Sequence, residues 1–148
     1  RWFPVIGGHA GTTIIPLLSQ LPDNKIAKLD VPSLTHRIQF GGDEVVAAKE
    51  GAGSATLSMA YAGATFAESV LKGLNGEKGI IEPAYIEQDL YGCKFFASQV
   101  ELGTEGVERA IPIPKNLTKT EEANIQEAVP ALQKQIAKGI QFTDENFK

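Results

Sequence analysis

Two histidines are the residues of this sequence best suited to moving a proton near neutral pH. His9 lies in a glycine-rich turn, Gly7-Gly8-His9-Ala10-Gly11, directly after a short apolar run. Glycine neighbours let the backbone turn sharply and leave room for a small molecule beside the imidazole. His9 is therefore a candidate general acid or base, although by local chemistry alone such a histidine is more often structural. His36 stands beside Arg37 on a predicted helix without glycine or apolar shielding, and we interpret it as a surface residue.

The glycine-rich stretch Gly51-Ala52-Gly53-Ser54-Ala55-Thr56 predicts no nucleotide-binding loop. It lacks the third glycine of a dinucleotide fingerprint and the Lys-Ser/Thr ending of a P-loop, and it joins two predicted helices instead of following a strand. We interpret it as a flexible helix–helix loop in which Ser54 or Thr56 caps the second helix.

Acidic pairs and the single cysteine add no further site. Asp43-Glu44 and Glu121-Glu122 are adjacent along predicted helices, so their side chains diverge, and we interpret both pairs as solvated. Cys93 has no basic neighbour except Lys94, so no reactive thiol is predicted. One cysteine and two distant histidines also predict no zinc or other metal site.

The composition is that of one soluble, globular domain covering residues 1–148. Hydrophobic residues make up 43% of the sequence and charged residues 22%, and the net charge is −4. The weak negative charge and scattered lysines give no reason to expect nucleic acid as a partner. No apolar run approaches the roughly 20 residues that a membrane helix needs. The opening Arg1-Trp2-Phe3-Pro4 has no methionine, which is typical of a fragment or a processed product.

The elements that position these residues are predicted to begin with short strands at 4–6 and 12–15, followed by a turn at Pro22-Asp23-Asn24. Helices are predicted at 33–50 and 57–74 from apolar residues repeating every three or four positions. The face of the second helix is rich in small residues, namely Leu57, Ala60, Ala64, Ala67, Leu71 and Leu74. Such a face suits close helix packing or a subunit interface, and plain core packing is an equally good interpretation.

The second half of the sequence predicts an antiparallel meander and a closing helix. Strands are expected at 80–86, interrupted by Pro83, at 95–102 and at 107–113. Thr118-Lys119-Thr120-Glu121 is a capping box, after which apolar residues recur at helical spacing at Ile125, Val129, Leu132 and Ile136. Nothing in the sequence accounts for Pro130 inside this helix. Helices segregated from an antiparallel sheet predict an α+β domain.

Three segments together carry a family resemblance. They are residues 4–20 (Pro-Val-Ile-Gly-Gly-His-Ala-Gly-Thr-Thr-Ile-Ile-Pro-Leu-Leu-Ser-Gln), residues 37–46 and residues 51–60 (Gly-Ala-Gly-Ser-Ala-Thr-Leu-Ser-Met-Ala). In that order they resemble the catalytic-histidine segment, the first helix of the C-terminal domain, and the pocket loop with its following helix in mitochondrial-type malate dehydrogenases. Residues 79–86 and Phe95-Phe96 follow in the expected order, so the resemblance covers essentially the whole chain.

The resemblance implies the substrate-side C-terminal domain of the lactate/malate dehydrogenase fold. It implies that His9 accepts the hydroxyl proton of malate when oxaloacetate forms with NAD as cofactor, and returns it in the reverse reaction. It also implies that Ser54 and Ala55 wall the substrate pocket and that Met59 touches the nicotinamide side of NAD. The helices at 33–50 and 57–74 resemble those that form the family's homodimer contact.

The sequence also departs from the family in what it lacks. The Rossmann domain with its NAD loop, the three substrate arginines and the aspartate that orients the histidine would all lie before Arg1. Arg37 and Arg109 match no substrate-binding arginine, and the opening Arg1-Trp2-Phe3 replaces the family's small or β-branched residues. We therefore expect the chain alone to be inactive or nearly so.

An alternative hypothesis is a non-catalytic module that self-associates or binds a partner. The compartment follows only from the resemblance, which favours the mitochondrial matrix over the peroxisome and the bacterial cytoplasm. The C-terminal Asn146-Phe147-Lys148 is not a peroxisomal Ser-Lys-Leu signal.

Overall fold

An antiparallel sheet of five strands forms the centre of the structure, a computed structural model that describes residues 3–147 apart from the side chain of Asn24. The unusual opening residues Arg1 and Trp2 lie outside these residues. The strands are β1 (Val5–Gly7), β2 (Ile14–Pro16), β3 (Ile80–Leu90), β4 (Cys93–Gly103) and β5 (Gly106–Ala110). Strand β4 is central, because it pairs with β3 along one edge and with β1 and β5 along the other.

Four helices surround the sheet, and this arrangement confirms the predicted α+β class. They are α1 (Asp23–Ile26), α2 (Val31–Ala48), α3 (Thr56–Leu74) and α4 (Lys119–Asn146), and two short 3-10 turns cover Gly11–Thr13 and Leu18–Gln20. Asp30 begins α2 by accepting a hydrogen bond from the backbone N–H of Ser33, and Pro32 occupies the first turn, where a missing N–H costs little.

The core lies between the sheet and α4. Its buried members are Ile6, Ile15, Leu17, Cys93, Phe96, Ile125, Ala128 and Leu132. The three residues from α4 are spaced three and four apart and so share one face of the helix. Burying each large apolar side chain stabilises the fold by about 1.5–3 kcal/mol, so α4 is held firmly against β1, β2 and β4.

The first turn of α4 is fixed by the predicted capping box, which is present. Thr118 Oγ1 accepts from the Glu121 N–H at 3.2 Å, and Glu121 Oε2 accepts from the Thr118 N–H at 2.9 Å. Glu121 Oε1 also accepts from the N–H of Ser19 at 3.0 Å, across 102 residues of sequence. The prediction that Glu121 is solvated is therefore wrong, because its carboxylate is buried between two chain segments. Burial by itself raises the pKa of Glu121, but the hydrogen bonds from Thr118 and Ser19 outweigh it and hold the pKa below its usual value.

Helices α2 and α3 form an outer layer with little burial. No residue of α2 is fully buried, and in α3 only Gly73 is. The small-residue face of α3 that the sequence suggested for packing is exposed, and Leu57 alone is 86% exposed. The core-packing interpretation of that face is therefore wrong for this chain. The opposite side of α3 leans on the sheet, and a Cβ on Gly73 would lie only 3.1 Å from the backbone of Leu102 and Gly103.

Three predicted element bounds need correction. Thr12 and Thr13 belong to a 3-10 turn and not to β2, because side-chain and backbone hydrogen bonds between Ala10 and Thr13 close that turn. The residues predicted to turn at Pro22 instead start the short helix α1. β5 ends at Ala110, where the prolines that follow remove ladder donors.

Pro83 lies within an edge strand of the sheet, and Pro130 lies on the exposed side of a helix. Pro83 does not interrupt β3, which is an edge strand where a missing N–H can face away from the sheet. Pro130 remains inside α4 on its exposed side, where water can bond the carbonyl that loses its helical donor.

Candidate functional site

His9 is carried by a tight turn between β1 and β2, and its side chain is exposed. The turn is closed by hydrogen bonds from the Gly8 N–H to the Thr13 carbonyl at 2.8 Å and from the Thr13 hydroxyl to the Ala10 carbonyl at 2.7 Å. Gly7 enters the turn with a φ of +97°, a conformation that favours glycine. The buried Thr13 therefore fixes the backbone on both sides of a histidine whose ring stays accessible.

The turn is supported from two sides. On the core side, a Cβ on Gly8 would lie 2.5 Å from Leu132 Cδ2, so the glycine allows α4 to pack directly against the backbone. On the outer side, a Cβ on Gly11 would lie 3.3 Å from the ring of Phe40 in α2. The turn that carries His9 is thus held between the core helix and the outer layer.

A cleft of about 610 Å³ opens between this turn and the outer helices. The structure brings all four predicted site residues to its walls, with His9 on the turn and Ser54, Ala55 and Met59 on the α3 side. Met59 is 57% exposed, so the cleft has an open apolar flank. A second, smaller cleft of about 240 Å³ borders His9 on the side of β3 and β4.

The loop that presents Ser54 and Ala55 is fastened to the end of α2. Lys49 Nζ donates to the Ser54 carbonyl at 2.7 Å, and Glu50 and Gly51 turn the chain with positive φ angles. The N-cap of α3 is Ala55 and has no side-chain hydrogen bond, so the prediction that Ser54 or Thr56 caps this helix is wrong. The lysine contact fixes the carbonyl of Ser54, a residue that lines the cleft and has no capping role.

The α2 wall was missed by the sequence analysis as a source of site residues. It contributes Ile38, Gln39, Gly42, Asp43 and Val46 to the cleft. The sequence predicted only a helix for residues 37–46. The signal that could have found Gln39 is a polar residue directly beside Ile38, an apolar and half-buried position of the helix. Asp43 is also the sole acidic side chain that lines the cleft among the described residues.

The electrostatics of the cleft are unusual for a site that binds an anion. Neither arginine singled out in the sequence lines it: Arg109 pairs with Glu101 at 2.7 Å, and Arg37 lies 3.9 Å from Glu44. Within residues 3–147, no lysine or arginine lines the cleft walls. An anionic ligand would therefore meet no lysine or arginine on the described walls of the cleft.

Three further observations concern metal-binding groups, long apolar helices and the cysteine in the part of the chain that the structure describes. No group of three metal-binding side chains occurs among these residues. No helix in the described range is both long and apolar enough to cross a membrane. Cys93 is buried, and burial, with Asp89 nearby, raises the pKa of its thiol, which keeps it protonated.

Comparisons with known proteins agree on one relationship. Residues 1–143 match the family described as lactate/malate dehydrogenase, alpha/beta C-terminal domain. The mitochondrial malate dehydrogenase of Saccharomyces cerevisiae is 52% identical over 141 residues, which are 93% of this chain and 42% of that protein. The mitochondrial malate dehydrogenase of Schizosaccharomyces pombe is 53% identical, over 94% of this chain and 41% of that protein.

A solved structure shows the same fold. The malate dehydrogenase of Picrophilus torridus in its apo form superposes with a TM-score of 0.67 at 25% identity, over 96% of this chain and 46% of that one. This chain therefore spans about two fifths of the length of the sequence relatives given above.

Proposed function

Because this chain belongs to the lactate/malate dehydrogenase family and corresponds to its C-terminal domain, we propose that it supplies the proton-transfer half of a malate dehydrogenase site. In this proposal residues 1–148 form one domain that acts together with an NAD-binding part, in the reversible oxidation of malate to oxaloacetate. His9 is the general acid and base, and Ser54, Ala55 and Met59 line the pocket.

The observation that carries the proposal is the convergence of four residues on one cleft. His9 is separated from Ser54 by 45 positions in sequence, yet both lie on the walls of the same 610 Å³ cleft. An exposed imidazole on a rigid turn, facing a space suited to a small molecule, is the arrangement that acid–base catalysis requires.

The residues present fit only one end of NAD. The exposed Met59 side chain and the small Ala55 offer apolar surface of the kind that suits the nicotinamide ring. In the described residues, the Gly51–Gly53 loop joins two helices and follows no strand, so it does not suit the phosphates. When bound, NAD supplies the acceptor for the hydride that leaves C2 of malate.

The role of His9 follows from the charge balance at C2. As the hydride leaves, an imidazole nitrogen of His9 takes the proton from the C2 hydroxyl, so that a neutral carbonyl forms and the imidazole becomes positively charged. In the reverse direction the same proton returns to the carbonyl oxygen. The fixed Gly8–Thr13 backbone around His9 keeps the imidazole close to one position between the two steps.

The cleft of this chain does not suffice for turnover in this proposal. Both carboxylates of malate need paired cations, and the lining residues of the described chain include no lysine or arginine. Asp43 on the α2 wall opposes a dianion. We therefore expect the isolated 148-residue chain to turn over oxaloacetate more slowly than about 1 per second.

The test joins residues 1–148 to the N-terminal part of the Saccharomyces cerevisiae relative and measures oxaloacetate-dependent NADH oxidation. The isolated chain serves as the comparison. We expect turnover from the joined protein and almost none from the isolated chain. A joined protein that folds and binds NADH but does not reduce oxaloacetate would contradict the proposal.

A second candidate function, self-association, is favoured by the outer face of α3. Leu57, Tyr61 and Leu71 are all more than half exposed on this helix, and a large exposed apolar patch favours contact with another protein surface. We propose that this face forms a contact between two copies of the chain, as a homodimer.

Sedimentation of the 148-residue chain tests this second candidate. A dimer that Leu71→Glu converts to monomer, while Val107→Glu on β5 does not, supports it. A monomer at millimolar concentration contradicts it. For the compartment we propose the mitochondrial matrix, because the relatives described above are named as mitochondrial, with the peroxisome and the bacterial cytoplasm as alternatives.

A further inference from the structure

We infer that Gln39 is a positioning residue for His9, because its side-chain amide holds the far end of the catalytic turn against α2. The inference rests on the proposed function of His9. Gln39 Nε2 donates a hydrogen bond of 3.0 Å to the carbonyl oxygen of Ile14, a residue 25 positions earlier in the sequence.

The Ile14 carbonyl has no partner within the sheet. The Gly8 N–H donates to the Thr13 carbonyl, and the Leu17 N–H donates to the Pro4 carbonyl. In an antiparallel pair of strands, such hydrogen-bonded residue pairs alternate with pairs whose backbone N–H and C=O groups point away from the partner strand. Gly7 and Ile14 form one of these outward pairs. Since β2 is an edge strand, the Ile14 carbonyl points to the open edge of the sheet, where Gln39 meets it.

The neighbouring residue of α2 supports the other end of the same turn. The Phe40 ring lies near Gly11, two residues after His9, because a Cβ added to Gly11 would be 3.3 Å from that ring. The Phe40 ring is also 4.8 Å from the His36 ring between ring centres, at a tilt of 35°. Gln39 and Phe40 therefore bracket the Gly11–Ile14 segment from the outer layer. Gln39 also lines the cleft beside His9, so a shift at this contact changes the cleft directly.

The hydrogen bond from Gln39 to Ile14 matters because α2 has no fully buried side chain to fix its position. None of its residues is fully buried, whereas on the opposite side of the turn the buried Leu132 fixes Gly8 through close packing. The spacing between His9 and the α2 and α3 walls is therefore set from the outer side by the Gln39 hydrogen bond and the Phe40 contact. A displacement of about 1 Å in a reacting group can cost about a hundredfold in rate.

The chain offers a matched control in Gln133. Gln133 Nε2 donates to the Gly92 carbonyl at 3.1 Å, which is the same kind of long-range bond in an exposed position of α4, away from the cleft. Gln39→Met and Gln133→Met each remove one amide donor at nearly constant side-chain length. Gln39→Glu is a second variant that keeps the shape and, when ionised, cannot donate.

The first measurement is amide hydrogen exchange in the 148-residue chain. In Gln39→Met we expect the Gly8 and Thr13 amides of the turn to exchange about tenfold faster, because one hydrogen bond that restrains the turn is lost. Gln133→Met should leave those amides unchanged. Unchanged exchange in both Gln39 variants overturns the inference.

The second measurement is steady-state kinetics in the protein joined to the yeast N-terminal part. We expect Gln39→Met and Gln39→Glu to lower kcat about tenfold, with little change in KM for oxaloacetate, because the base moves while the substrate cations do not. Gln133→Met should retain the parent kcat. An active parent whose kcat is unaffected by both Gln39 variants overturns the inference. An inactive parent contradicts the proposed function instead, and the exchange measurement then decides the role of Gln39 alone.

Discussion

The inner side of this domain, formed by α4, and the outer side, formed by α2 and α3, differ in how much they bury. On the inner side, α4 buries Ile125, Ala128 and Leu132 against the sheet, and its first turn is bonded to a distant segment through Glu121. On the outer side, Gly73 is the one fully buried residue of α2 and α3, and the two helices are attached through half-buried residues and through hydrogen bonds such as that of Gln39. The inner side is stabilised by buried apolar side chains, whereas the outer side leaves most of its side chains accessible to solvent or to another protein surface.

The candidate site lies where these two sides meet. The turn with His9 rests on Leu132 of the inner side and on Phe40 of the outer side, and the cleft opens toward the outer helices. The turn that carries the proposed catalytic residue His9 is therefore supported by the core, while the α2 and α3 walls of the cleft belong to the less buried outer layer. This division predicts that stability and activity respond to different substitutions.

The largest effect on stability is expected at the inner side. Leu132→Ala should lower the free energy of unfolding by about 2–5 kcal/mol, because it removes a side chain that is 1% exposed and leaves a cavity beneath Gly8. Leu57→Ala, the same change on the exposed face of α3, should stay within about 0.5 kcal/mol. Urea unfolding of both variants measures the difference. Equal losses would remove the distinction between the two sides.

The next effect is expected at Glu121 and depends on pH. Glu121→Gln should cost about 1–3 kcal/mol at pH 7, because the buried carboxylate accepts three hydrogen bonds from Thr118 and Ser19. Since folding lowers the pKa of Glu121 below its usual value of 4.5, its contribution is complete above that pH and is lost as the pH falls through the folded-state pKa.

Unfolding curves at a series of pH values test the sign of this effect. The parent chain should lose stability more steeply than Glu121→Gln as the pH falls below about 4.5. Glu122→Gln, a change at the exposed neighbour, is the control and should follow the parent curve. Parallel curves for the parent and Glu121→Gln would show that the carboxylate adds no such pH dependence.

The last pair of effects differs in sign between two glycines of α3. Gly63→Ala should raise stability by about 0.5–1 kcal/mol, because nothing lies within 4 Å of the added methyl and alanine favours the helix. Gly73→Ala should lower stability by about 1–3 kcal/mol, because the methyl would press on the backbone of β4. Thermal unfolding of the two variants tests the contrast, and a gain at Gly73 would contradict the close contact between α3 and β4.

Much of the inner side could be predicted because its signals are local. The capping box at Thr118 and the apolar spacing of α4 are both read within a single helix and are present in the structure. The outer side misled the sequence analysis, because the small and apolar residues of α3 look the same whether they face the core or the surface. The burial of Glu121 was also missed, because its second hydrogen-bond partner, Ser19, is 102 residues away.

In the candidate site, too, the sequence could predict some features and not others. The glycines around His9 marked a turn, but local chemistry could not distinguish a structural histidine from a catalytic one. Ser54, Ala55 and Met59 followed from the family resemblance alone, since no local rule assigns them to a pocket. The contacts of Gln39 and Phe40 with the His9 turn depend on how α2 lies across the edge of the sheet, which sequence periodicity does not reveal.

The most direct test of the central claim is the activity of His9→Asn in the protein joined to the yeast N-terminal part. The account predicts that kcat for oxaloacetate reduction falls by about 10²–10⁴ while the thermal unfolding temperature is unchanged, because the exposed imidazole transfers the proton but supports no packing. Gln133→Met, a change on α4 away from the cleft, should retain the parent activity. A His9→Asn protein that folds and keeps the parent rate would contradict the account.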